Sequence, residues 1–90
     1  MKTISFKEFS TGISYLQSPD EEIQQLGITL FDLHDIKFHK LYSYFTVDNQ
    51  GWIFTITPTE FLIGNSYSHG NLSIEDLYKC ITGNWEWKEE

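Results

Sequence analysis

Two runs of aromatic and β-branched residues, Phe38 to Val47 and Trp52 to Thr57, flank the tetrapeptide Asp48-Asn49-Gln50-Gly51, and no other feature constrains the fold as much. Such residues suit a pleated, half-buried surface. Asp and Asn favour turn entry and Gly51 accepts a positive φ, so the segment predicts an antiparallel hairpin, 38–47 paired with 52–57. With Val47 opposite Trp52, Phe45 pairs with Phe54 and Ser43 with Ile56. Leu41, Phe45, Val47, Trp52, Phe54 and Ile56 then share the core side, and Tyr42, Tyr44, Thr46, Ile53, Thr55 and Thr57 share the other. Pro58 cannot donate to a ladder and ends the second strand. Glu60 to Ile63 predicts a further strand, followed by a polar loop from Gly64 to Asn71.

Capping signals place helices around this hairpin. Ser5 followed by Glu8 is a capping-box pattern, and Phe6, Phe9, Ile13 and Leu16 recur at helical spacing, predicting a helix over about 6–17. Ser18-Pro19-Asp20-Glu21 offers an N-cap, a proline at the first helical position and an acidic first turn; Gly27 offers a left-handed stop. A second helix over about 19–26 follows. From Ile28 to Leu33 the apolar residues read as a strand packed from both sides. Ser73 with Asp76 caps a last helix over about 74–82, whose stripe is Ile74, Leu77, Tyr78 and Ile81, and Gly83 closes it. The expected fold class is α+β: an antiparallel sheet of three to five strands, built on the central hairpin and packed by two or three short helices. Neither repeats nor a linker divide the chain, which reads as a single domain over 1–90.

Composition narrows the function. A chain of 90 residues has room for one core, since domains of this size bury only about 60–65% of their unfolded surface. At 40% hydrophobic and 17% aromatic it is too apolar for a disordered segment. Cys80 is the only cysteine, so no intramolecular disulfide forms, and inside an amphipathic helix it reads as a small buried hydrophobe. The chain shows no signal-peptide core and no apolar run of membrane-spanning length, so a cytoplasmic protein is expected. Its net charge is −7 and all six basic residues are lysine. Without arginine's bidentate fork, and with so many carboxylates, direct nucleic-acid binding and attachment to an anionic membrane are disfavoured. The absence of alanine, beside abundant Ile, Phe, Tyr, Asn and Lys, suggests an AT-rich microbial or phage gene.

A search for chemistry returns no catalytic residues, no metal ligands and no cofactor. Asp32, His34, Asp35 and His39 form the one cluster with ligand chemistry. His34 and His39 point to opposite faces in a strand and lie apart on a helix, so they do not converge. His69 with Cys80, a serine or Asp76 lacks the constrained elbow and oxyanion hole of nucleophilic catalysis, and there is no Gly-rich phosphate cradle. Glu75 and Asp76 fit the positive end of a helix.

What folding leaves over is a protein-binding character. Trp85 and Trp87 flank Glu86 after the last helix, and Trp and Tyr are the residues of interface anchors. Asp48, Glu75 and Asp76, with Tyr42, Tyr44, Trp85 and Trp87, are the candidate partner-binding residues. The expected role is a stoichiometric inhibitor or immunity-type protein covering a basic surface of another protein. Bacteriocin or toxin immunity proteins, anti-restriction proteins and phage-encoded anti-CRISPR proteins share this physical type. The competing expectation is an assembly module that homodimerises through the Tyr42, Tyr44 and Ile53 face or an open strand edge.

Overall fold

The computed structural model describes residues 4–49, 51–64 and 69–83. Its elements are α1 (Phe6–Leu16), α2 (Glu21–Asp32), β1 (His39–Leu41), β2 (Tyr44–Asn49), β3 (Trp52–Ile56), β4 (Phe61–Gly64), β5 (His69–Leu72) and α3 (Ile74–Thr82). The strands form one antiparallel meander in the order β1-β2-β3-β4-β5, so the α+β class holds. No described helix is long and apolar enough to cross a membrane.

Pairing sorts the sheet into a core side and an outer side. Phe45, Ile56, Phe61 and Leu72 stand opposite one another in one row, and Val47, Phe54 and Ile63 in the next. Phe45, Val47, Phe54, Ile56 and Ile63 are buried, together with Phe9, Ile13 and Leu16 of α1, Phe31 of α2 and Leu77 and Cys80 of α3. The three helices thus cover one side of the sheet. Fully burying side chains of this size contributes about 1.5–3 kcal/mol each, before chain entropy is subtracted. Edge-to-face rings cross the helical layer: Phe9 lies 5.5 Å from Phe31 and 5.1 Å from Tyr78. The Tyr78 hydroxyl donates to the Ile4 carbonyl at 2.7 Å, tying the start of the described chain to its last helix.

The caps of α1 and α3 form as the sequence predicts. Ser5 Oγ accepts from the Glu8 N–H at 3.1 Å, and Ser73 Oγ accepts from the Asp76 N–H at 3.2 Å. The second helix differs from expectation at both ends. Its N-cap is Asp20, whose Oδ1 accepts from the Glu22 N–H at 2.9 Å; Ser18 instead receives the Asp20 N–H. At the other end the helix passes through Gly27 and absorbs most of the segment expected as a strand from Ile28 to Leu33.

Packing explains why Gly27 continues the helix. A Cβ on Gly27 would lie 2.9 Å from the Gly12 carbonyl oxygen and 3.0 Å from Tyr15 Cβ, and one on Gly12 would lie 2.8 Å from the Phe31 ring. These two glycines let α1 and α2 touch. The helix ends instead at Asp32, and the chain leaves it through Asp35, which has φ 63°. The Asp35 N–H bonds the Asp32 carbonyl at 3.1 Å and the Ile36 N–H reaches back to Phe31 at 2.9 Å. This is a Schellman closure with aspartate in the left-handed position that glycine usually takes.

Three corrections fall on the sheet. The run 38–47 is two strands, because the chain turns at Tyr42 (φ 57°) and Ser43, and Leu41 pairs with Tyr44. That turn moves Leu41 from the core side to the outer side. The β2–β3 ladder runs on to Asn49 opposite Trp52, with Gly51 at φ 84° just before β3, so Val47 faces Phe54 rather than Trp52. A slip of two residues keeps every side chain on its own face, which is why the core predicted from β2 and β3 survives. Finally, β5 occupies His69–Leu72, part of which was expected as loop.

If the glycine contact sets the helix spacing, Gly27→Ala should lower unfolding stability by about 1–3 kcal/mol in urea, the usual cost of overpacking, although alanine is the better helix former. Conversely, Asp35→Gly should raise stability by about 0.5–1 kcal/mol by relieving a left-handed non-glycine residue, and Asp35→Val should lower it. Urea midpoints for the three variants and the parent check both statements.

Candidate functional site

The residues with acid–base or ligand chemistry do not assemble. Asp32 pairs with Lys37, outside any cluster with the histidines. His34 is mostly buried, with Nε2 3.6 Å from Glu8 Oε2, and its Nδ1 has no hydrogen-bond partner among the described residues. A general base needs a third group to hold its ring, and no described residue supplies one at this nitrogen. His39 lies on exposed β1. Among the described residues no three His, Cys, Asp or Glu side chains come together as a metal site.

Cys80 sits in the core under α3, as its helical position predicts. Burial pushes its thiol up to about 12, and Asp76 adds to the rise. A thiol held in its neutral form is a poor nucleophile and metal ligand. In the folded protein at neutral pH, Cys80 should therefore resist a disulfide reagent and become titratable only in denaturant. The unfolded thiol ionises near 9.0, so the neutral-thiol preference contributes its full stability below that pH and loses it progressively as pH rises towards about 12. Thiol titration with and without urea, and urea melts across that alkaline range, measure the two effects.

The acidic residues serve separate local purposes. Asp20 caps α2 and Glu21 approaches Lys40 at 3.7 Å, while Asp32 and Asp35 stand at the helix's other end. Asp48 is on β2, near the hairpin tip, and Glu75 and Asp76 occupy the first turn of α3. Twelve residues of helix separate the first two groups by about 16–18 Å at 1.5 Å per residue. Among the described residues these acids stand on three separate elements.

The structure does bring together three of the candidate binding residues. Tyr44, Thr46 and Asp48 alternate on the outer side of β2, next to Ile53 and Thr55 of β3. Leu41 joins them through its pairing with Tyr44, and Leu62 continues the surface on β4. Tyr42 stands at the adjoining turn with 89% of its surface exposed, held there by its positive φ, and Ile53 is 50% exposed. Glu75 and Asp76 belong to the helical layer instead. Trp85 and Trp87 lie outside the described residues.

A second apolar surface was not read from the sequence. Along the seam of α1 and α2 runs an open groove of about 710 Å³, with Tyr15 and Thr11 on one wall and Leu26, Leu30 and Leu33 on the other. Leu26 is 58% exposed and Leu33 77%. The signal was present as leucines at i, i+4 and i+7, but a helix ending at Gly27 divides that stripe.

No family model matches the chain, and neither a curated protein nor a solved structure matches it.

Proposed function

We propose that this domain acts by binding another protein, with the outer side of the sheet as its contact surface. The observation that carries the reading is the grouping of Tyr42, Tyr44, Leu41 and Ile53 on one exposed surface edged by Asp48. An amphipathic aromatic patch with an acidic rim suits a partner that offers an apolar pocket beside basic groups. The net charge of −7 favours approach to such a partner over long range, and Asp48 fixes orientation at the rim.

An inhibitor or immunity role follows where the covered surface is the partner's own working surface, such as a basic groove that binds nucleic acid. The domain then acts by occupancy, in a fixed ratio and without turnover. Glu75 and Asp76 play no part in this contact, since they stand on the helical layer.

The test is affinity capture from the native host with the parent chain, Tyr42→Ala and Ile53→Glu, washed at low and at high salt. One basic partner should be retained in a fixed ratio by the parent and lost with Ile53→Glu. Retention should fall about five- to tenfold with Tyr42→Ala, the effect of an interface residue worth about 1 kcal/mol or slightly more, and should weaken at high salt. Equal retention by all three chains, or no partner at all, would sink the proposal.

A further inference from the structure

The three helices are not held alike. The backbones of α1 and α2 run against each other and meet at Gly12 and Gly27, whereas α3 approaches α1 and β5 at few positions. Side chains fasten α3 instead. The Tyr78 hydroxyl donates to the Ile4 carbonyl at 2.7 Å, with the Phe6 and Phe9 rings edge-on to its own. The Asn49 amide of β2 donates to the Cys80 carbonyl at 2.5 Å, and Leu77 and Cys80 are buried beneath these bonds. Ser73 alone joins α3 to β5. The nine residues of α3 fall short of the roughly 12–15 that a helix needs to persist unsupported in water. Once its side-chain attachments part, α3 therefore melts as a whole.

We propose that α3 is a strap that opens and closes as a unit of its own, hinged at Ser73, while the α1–α2 pair and the meander stay folded. Local stabilities within one domain range from near zero to the global value, and a short element fastened by side chains belongs to the lower part of that range. The Gly12–Gly27 contact and the four strand ladders include no residue of α3, so the open state keeps them all. What opening uncovers is the Phe9 ring on which Tyr78 rests and the otherwise buried Cys80 thiol. The resistance of Cys80 to a disulfide reagent is then set by the strap and not by the stability of the whole domain. The outer side of the sheet is the same in both states, so the inference is independent of the function proposed above.

Cys80 is the sole cysteine and reports the opening directly. The folded full chain is labelled at neutral pH with a disulfide reagent, at concentrations where the rate is proportional to reagent, in urea below the unfolding transition. The slow residual labelling should give an opening constant about tenfold or more above the global unfolding constant, with a urea dependence roughly a third or less of the global one. Tyr78→Phe keeps the ring and removes the bond to Ile4, and it should speed labelling about five- to tenfold. Ile56→Val lies at the end of β3 away from Asn49. It should lower the folded-to-unfolded ratio about three- to tenfold and leave the labelling rate unchanged. Labelling that shares the urea dependence of global unfolding overturns the proposal. So does labelling that Ile56→Val speeds as much as it lowers stability, or that Tyr78→Phe does not speed at all.

Discussion

Everything in the helical layer depends on the approach of α1 to α2 at Gly12 and Gly27. With the Gly12 carbonyl so near Gly27 and the Phe31 ring lying over Gly12, no side chain separates the two backbones. That spacing sets where Phe31 sits, and Phe31 in turn lies 4.8 Å from Phe38 and 5.5 Å from Phe9. Phe9 reaches Tyr78 of α3. A single close backbone contact therefore positions a run of rings that joins all three helices and the entry to β1.

The same contact determines what the domain leaves exposed. Because α2 turns Gly27, Ile28 and Phe31 towards the core, Leu26 and Leu30 of the helix and Leu33 at its C-cap line the groove beside α1 instead. The sheet is also covered on one side only, so Leu41, Tyr44 and Ile53 have no layer against them among the described elements. A chain of this length cannot bury both. Two apolar surfaces are therefore left on opposite layers, one of them the surface proposed above as the contact.

How much of this was legible follows from what each residue had to signal. Ser5–Glu8 and Ser73–Asp76 are local interactions, complete within four residues, and both caps form where the pattern puts them. Phe45, Val47, Phe54 and Ile56 were identifiable as core because period-two alternation is insensitive to the two-residue change of register. Gly27 was misread because a glycine needed for contact with another helix looks, in sequence, like a glycine needed for a stop. Asp35 and Tyr42 were missed for the converse reason: each holds a positive φ without being glycine. At the candidate site, Tyr42, Tyr44 and Ile53 were recognisable as one group, whereas the leucine groove needed the true length of α2.

The link between Tyr78 and Ile4 has a consequence for biosynthesis. These residues are 74 positions apart, yet one hydrogen bond and the neighbouring rings join them. Among the described elements α1 and α2 leave the ribosome before the sheet, and the helix that completes their aromatic cover follows it. The meander between them pairs only neighbouring strands, so its ladders can zip up in the order of translation, with little loop entropy to overcome. Until α3 is released, the nascent α1–α2 hairpin presents Phe6 and Phe9 to whatever surrounds it, and the aromatic cover closes only once Tyr78 has emerged.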